Sequence, residues 1–223
     1  MTIEQLGTIT LVQGDCMEFM AEMPDSSFEL AIVDPPYGID AGDYKRGGKQ
    51  GGNALAPSKE YHTGDWDKLP PPQAYFTELQ RVSKNQIIWG GNYFIDKLKP
   101  TSCMIVWDKQ TGNNQYADCE LAWTSFPSAV RMFTWQWKGF LQEVKQERIH
   151  PTEKPIQLYE WLLQKYAKKG DKILDTHGGS MSHAIACHRL GFDLTIIEKD
   201  PIYYHDAKER LIREQQQLQL FGK

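Results

Sequence analysis

The chain has 223 residues, 40% of them apolar, 24% charged and 12% aromatic. That is a globular composition, long enough for a sizeable core in one domain, and it excludes collagen-like, coiled-coil and largely disordered readings. The net charge is −4, so a nucleic-acid partner would have to be met by basic residues gathered on one surface.

No apolar run approaches the roughly 18 residues of a membrane span. The start, Met1-Thr2-Ile3-Glu4-Gln5, has no basic head or apolar signal core, so a cytoplasmic protein is expected. Cys16, Cys103, Cys119 and Cys187 are irregularly spaced and form no Cys-x-x-Cys pair. Reduced thiols are expected, with neither a disulfide framework nor a metal site.

In chain order, Thr8–Val12 reads as a strand running into Gly14-Asp15, and Cys16–Glu22 as a short helix stopped by Pro24. Phe28–Val33 is an almost continuous apolar run, the pattern of a strand covered on both faces, and it leads into Asp34-Pro35-Pro36-Tyr37. Residues 38–69 hold seven glycines with no periodicity and read as a long loop. A helix over Pro71–Ser83 follows, then a strand over Gln86–Trp89, a short helix over Asn92–Leu98 and a strand over Cys103–Trp107. Glu120–Thr124 and Val130–Trp137 read as a further pair of strands. Pro155–Ala167 is an amphipathic helix and Lys172–Leu174 a strand. Met181–Leu190 is a helix stopped by Gly191, Leu194–Ile197 a strand, and Pro201 to about Gln217 the last helix. Strands alternating with helices predict a doubly wound α/β domain. Its sheet is mostly parallel with one antiparallel pair, and ligands lie outside the strands' carboxyl ends.

The chemistry concentrates at such ends. In Asp34-Pro35-Pro36-Tyr37 the two prolines remove two backbone donors, leaving acceptors. A carboxylate and a carbonyl side by side accept both hydrogens of an exocyclic amine, which frees its lone pair, and Tyr37 offers a ring for a flat base to stack on. The turn Asp175-Thr176-His177-Gly178-Gly179-Ser180 lets a ligand approach the backbone at a helix start. Glu198, after the next strand, sits where it would accept from a ribose diol, with Asp200 capping the last helix. No Gly-x-Gly and no Gly-Lys-Ser/Thr occurs, so nicotinamide and nucleoside triphosphate readings are poor. No cysteine follows a proline, which removes the nucleophile that methylation at cytosine C5 would need.

Together with His150-Pro151-Thr152-Glu153-Lys154-Pro155, these motifs resemble the amino-group DNA methyltransferases of the circularly permuted beta class, in which the catalytic half comes first. The resemblance spans Thr8 to about Leu211 and implies a Rossmann-like class I methyltransferase fold with S-adenosylmethionine as cofactor. It places Asp34, Pro35, Pro36 and Tyr37 at the catalytic centre. Asp15 and Cys16 would meet the cofactor's adenine, Asp34 its amine, and Thr152 and Lys154 its methionine end. Asp175, His177, Gly178, Gly179 and Ser180 would line its sugar and methionine, with Glu198 and Asp200 near the ribose. The usual Asp-Pro-Phe-x-Gly-Ser-Gly-Thr turn is altered, with Thr176-His177 for Pro-Phe and Met181 for the last glycine. Within the resemblance, Asp as the first residue of the tetrad favours adenine N6 over cytosine N4.

For DNA, the acid-free stretch Tyr44–Lys59 offers Lys45, Arg46, Lys49 and Lys59, although a solvated loop fits it equally well. Residues 128–149 read as a small recognition insertion with Arg131, Lys138, Lys145 and Arg148. The alternating Phe133, Trp135 and Trp137 among them read as core. So small an insertion suits a short site or help from a second subunit, and a cognate restriction enzyme would be a natural companion. The competing readings are an enzyme acting on cytosine N4, on RNA, on a glutamine amide or on a small molecule, and a degenerate fold that only binds DNA.

Overall fold

The computed structural model describes residues 1–40, 67–111, 117–138, 141–142, 150 and 152–220. The first two strands, β1 (Thr2–Leu6) and β2 (Ile9–Gln13), form a hairpin whose turn places Gly7 at φ +64°. Helix α1 (Cys16–Glu22) leads to β3 (Phe28–Val33), then α2 (Gln73–Val82), β4 (Ser83–Trp89), β5 (Met104–Asp108), β6 (Cys119–Thr124) and β7 (Arg131–Thr134). A two-stranded ribbon, β8 (Trp137–Lys138) with β9 (Leu141–Gln142), stands apart from the main sheet. The chain then runs through α3 (Ile156–Tyr166), β10 (Lys172–Asp175), α4 (Ser182–Leu190), β11 (Asp193–Glu198) and α5 (Pro201–Leu220).

Nine strands form one sheet in the order β1-β2-β11-β10-β3-β4-β6-β5-β7. Strand β6 runs against both β4 and β5, β1 runs against β2, and the other neighbours are parallel. The strands' alternating side chains pack on two sides. Leu11, Leu30, Ile32, Ile87, Trp89 and Trp107 face α3, α4 and α5. Val12, Ala31, Val33, Ile88 and Ile197 face α1 and α2. This is the three-layer doubly wound architecture expected from the sequence.

Several expectations are corrected. Glu120–Thr124 and Val130–Trp137 do not pair with each other, because β5 lies between β6 and β7. The second of them stops at Thr134, and Trp137 starts the separate ribbon. Asn92–Leu98 is not a helix; only a 3-10 turn over Gly91–Tyr93 forms. Strand β1 was not anticipated: it is a half-exposed edge strand with no apolar stripe to mark it. The aromatic stripe is core as expected. Phe133 and Trp135 pack against the α3 side, and Trp137 is buried with its Nε1 donating to the Glu153 carbonyl at 2.9 Å. All four cysteines are free thiols. Among the described residues, no helix is long and apolar enough to cross a membrane.

Chain order reverses between β10 and β3: from β10 the chain moves outward to β11, and from β3 it moves the other way to β4. A crevice opens at such a switch point, outside the carboxyl ends of the strands. Asp34 follows one of these strands and the Asp175 turn ends the other.

Candidate active site

One cavity of about 1460 Å³ runs along this edge of the sheet. It is lined on one side by Gly14, Asp15, Cys16, His150, residues 176–180 and residues 198–200, and on the other by Asp34, Pro35, Tyr37, Lys109, Glu120 and Lys154. Two clusters expected on separate grounds therefore share one space.

On the first side, Asp15 caps α1 through Met17 N–H at 2.8 Å and pairs with Lys199 at 2.9 Å, which lowers its pKa. Burial, with Asp15 close by, pushes the Cys16 thiol up to about 12, so it is inert as a nucleophile. Glu198 accepts from Gly179 N–H at 2.7 Å and from Asp200 N–H at 2.8 Å, while burial raises its pKa. Each of its oxygens keeps a lone pair for a further donor. Gly178 donates to the Ile197 carbonyl at 2.7 Å, and a Cβ there would lie 3.2 Å from Ile196, so the turn is laid directly on β11. Asp200 caps α5 through Ile202 and Tyr203, and Ser180 meets Ser182 at 3.1 Å. His150 packs against Tyr203 with the rings tilted at 59° and accepts from Thr152, which is exposed. Burial lowers both His150 and His177 to about 4. Neutral imidazoles, a carboxylate with lone pairs to spare and a bare backbone turn fit a nucleoside carrying a polar tail.

Of the residues assigned to the cofactor, Asp175 is outside the cavity lining and Lys154 lines its far side. Asp175 does not line the cavity: it is 2% exposed, with one oxygen accepting from His177 N–H at 3.0 Å and the other meeting His183 at 2.9 Å. It shapes the turn from beneath. Lys154 sits in the cluster around Asp34. Its Nζ lies 2.5 Å from Asp34 Oδ2, 3.1 Å from Glu120 Oε2 and 3.3 Å from Tyr37 Oη.

On this second side, Tyr37 Oη donates to Asp34 Oδ1 at 2.7 Å. The Tyr37 ring stacks on Tyr93 at 4.9 Å and lies against Gly90, whose φ is +72°. A Cβ on Gly90 would fall 2.2 Å from that ring, so only glycine leaves it room. Asp67 accepts from the Tyr37 and Gly38 amides at 2.6 and 2.9 Å. Burial, reinforced by Glu120, raises the Asp34 pKa against the pull of Lys154. Burial would raise Glu120 too, but Lys154 and Lys109 hold it down to about 2.

Glu120, Lys109, Asp67, Gly90 and Tyr93 were not anticipated. The signals were slight: an acid at the start of an apolar strand, a lysine just past another strand, and two glycines ending a third. Of the DNA candidates, Lys45, Arg46, Lys49, Lys59, Lys145 and Arg148 lie outside the described residues, as does the side chain of Lys138. Arg131 is exposed but begins β7 at its pairing with Ile105, three residues short of the site edge, and its charge is felt by Tyr166 at the far end of α3. It is not gathered with the site.

The fold is that of the class I methyltransferases. The structure of the PvuII DNA methyltransferase (cytosine-N4-specific) superposes with a TM-score of 0.58 at 13% identity, over 96% of this chain and 93% of that one. The M1.HpyAVI–SAM complex does so with a TM-score of 0.53 at 19% identity, over 91% and 99%. The N6/N4 methyltransferase family model, described as DNA methylase, matches residues 108–209, from the end of β5 into α5. A Type II methyltransferase of Streptococcus pneumoniae, M2.DpnII, is 23% identical over 92% of this chain and 90% of its own. These matches bear out the resemblance read from the sequence. This chain is similar to the N6/N4 amino-group DNA methyltransferases, an enzyme specific for cytosine N4 among them.

Proposed function

We propose that the protein transfers a methyl group from S-adenosylmethionine to the exocyclic N6 amine of an adenine flipped out of duplex DNA. The observation that carries this reading is the convergence of Asp34 and Tyr37 with the Glu198 and Gly178 turns on one cavity at the switch point. When bound, S-adenosylmethionine supplies an electrophilic methyl on a sulfonium. The chain's own residues do the rest. Glu198 accepts from the ribose hydroxyls, residues 176–180 and Thr152 border the amino-acid tail, and Asp15 and Cys16 flank the adenine. Asp34 Oδ1 and the Pro35 carbonyl accept the two N–H bonds of the target amine, so its lone pair leaves conjugation and points along the transfer line. Held there, the sulfonium would supply the methyl to that lone pair and carry away the C–S bonding pair, and Asp34 Oδ1 would take the proton that the amine releases. Burial raises the proton affinity of Asp34, which suits that last step.

The target base must leave the stack to reach this depth, and Tyr37 gives it a face. Phosphate contact is assigned to Lys45, Arg46, Lys49, Lys59, Lys138, Lys145 and Arg148, because the rest of an acidic chain repels DNA. The test is methylation of mixed-sequence DNA, read by sequencing that reports modified bases. N6-methyladenine that is lost in Asp34→Ala and kept in Tyr37→Phe is the expected result. N4-methylcytosine would keep the site and overturn the base. Near-normal turnover by folded Asp34→Ala would overturn the site.

A further inference from the structure

Four charges form one chain with the reacting carboxylate at its end, and the proposed transfer uses only that carboxylate. Lys154 is 3% exposed and stands between two carboxylates, Asp34 at 2.5 Å and Glu120 at 3.1 Å. Glu120 in turn pairs with Lys109. The four come from four places in the fold: the end of β3, the approach to α3, the start of β6 and the residue after β5. The β5–β6 pair is locked at this point, with Trp107 opposite Glu120 in register and Lys109 N–H bonded to the Asp118 carbonyl at 3.0 Å. Trp89 and Tyr37 lie beneath the same ammonium, with ring centres 5.5 and 5.7 Å from it. An ion-pair chain of this kind costs desolvation energy and is weak as a source of stability. Its geometric consequence is specific.

Asp34 has two oxygens. Oδ2 is held by Lys154, while among the described residues Oδ1 carries only the Tyr37 hydroxyl at 2.7 Å. An ammonium facing a single carboxylate can swing across both oxygens. One drawn from the far side by a second carboxylate cannot. We propose that Glu120, steadied by Lys109, is a positioning residue that keeps the Lys154 ammonium on Asp34 Oδ2, so that Oδ1 alone is presented to the target amine. The amine then replaces the Tyr37 hydroxyl at that oxygen. This rests on the reading of Asp34 as the amine acceptor, and it adds a task for Glu120 and Lys109, which the transfer itself does not need.

The electrostatics point the same way. Lys154 and Lys109 keep Glu120 ionised down to about 2, although burial opposes it. Asp34 and Glu120 together raise the Lys154 pKa against its burial, so the bridging cation stays charged. The groups that face Asp34 are Tyr37 on its own turn, Lys154 before α3 and Glu120 on β6, with Tyr75 of α2 and Tyr159 of α3 further off. Removing the anion should make Asp34 more acidic and removing the cation less acidic. A packing defect would not produce opposite signs.

The test has two readouts. The first follows the carboxyl carbon of Asp34 by NMR against pH in the free protein, the resonance being assigned by its loss in Asp34→Asn. Glu120→Gln should lower the midpoint and Lys154→Met should raise it. The second is single-turnover methyl transfer. In Glu120→Gln the rate should fall about tenfold to a hundredfold, the loss expected from a misplaced reacting group, with DNA and cofactor affinity held within about twofold. Glu120→Asp should recover part of the rate. If Glu120→Gln does not fold, Lys109→Met serves: the same loss of rate is expected, with the Asp34 midpoint raised. An active wild type whose Asp34 midpoint and transfer rate are untouched by these changes would overturn the positioning role. A wild type that methylates no DNA, yet shows the opposed midpoints, would overturn the proposed function and leave the positioning in place.

Discussion

Gly90→Ala tests how the site is built, because two separable costs meet at one atom. Gly90 closes β4 with φ +72°, and an added Cβ would lie 2.2 Å from Tyr37 Cε1, 2.6 Å from Cδ1 and 2.8 Å from Cζ. The backbone cost of an L-residue in the left-handed region is about 1–2 kcal/mol. Overpacking against a ring that cannot yield adds about 1–3 kcal/mol. The ring is pinned by Tyr93 stacked at 4.9 Å, by Phe94 edge-on at 6.1 Å and by its own hydroxyl on Asp34. Urea unfolding of the four members of a cycle made from Gly90→Ala and Tyr37→Ala separates the terms. Gly90→Ala alone should cost about 2–5 kcal/mol, but only about 1–2 kcal/mol when Tyr37→Ala is already present, a coupling of about 1–3 kcal/mol. Methyl transfer should fall with the single change, because a tilted Tyr37 ring no longer offers the flipped base its stacking face. An equal cost in both backgrounds would show that Gly90 does not hold the ring in place.

Asp67→Asn replaces a carboxylate bound to the Tyr37 and Gly38 amides. It should cost about 2–3 kcal/mol in urea unfolding and reduce turnover more than DNA binding; unchanged stability would refute this anchoring. His150 is buried and lowered from 6.5 to about 4, so the folded state favours its neutral form. That stability is present above pH 6.5 and is lost as pH falls towards 4, by about 3 kcal/mol at most. The wild type should therefore lose more stability than His150→Asn between pH 7.5 and 4.5, and equal losses would count against the assignment.

What was legible in the sequence was what is local. Phe28–Val33 is apolar because both faces are covered, and Asp34-Pro35-Pro36-Tyr37 is contiguous, so strand and motif announce themselves together. Glu198 and the Gly178 turn show for the same reason. The parts that were missed are set by pairing over distance. Nothing near Glu120 says that it will share a lysine 34 positions later, and nothing in the Lys154 motif separates a cofactor ligand from a partner of Asp34. Sheet order decides both, since β4, β6 and β5 bring Glu120 and Lys109 to the edge where β3 ends. Asp175 misled for a related reason. A carboxylate ending a strand at the switch point faces either the crevice or the helix behind it, and here His183 of α4 claims it.

The altered turn tests local strain against burial. Met181 stands where the family turn has its last glycine, and it does take a glycine's conformation, with φ +54° just before α4. A methionine held there costs about 1–2 kcal/mol of backbone energy that glycine would avoid. Its side chain, however, is fully buried in the cluster with Ile156, Tyr159 and Ile185. Deleting a buried methionine side chain costs about 2–5 kcal/mol, so packing outweighs strain. Met181→Gly should therefore destabilise the protein by about 1–3 kcal/mol in urea, while Met181→Ala, which keeps the strain and still empties the cavity, should cost more. Thr176 supports the same turn from the other side through the Tyr75 hydroxyl at 2.7 Å, so the backbone path of residues 176–180 should survive either change. Cofactor affinity, followed by isothermal titration, should then stay close to wild type in Met181→Gly. A stabilised Met181→Gly would mean that strain dominates and that the methionine is a burden on the turn. A Met181→Gly that kept its stability cost but lost cofactor binding would make the methionine part of the binding surface, against its burial in the core.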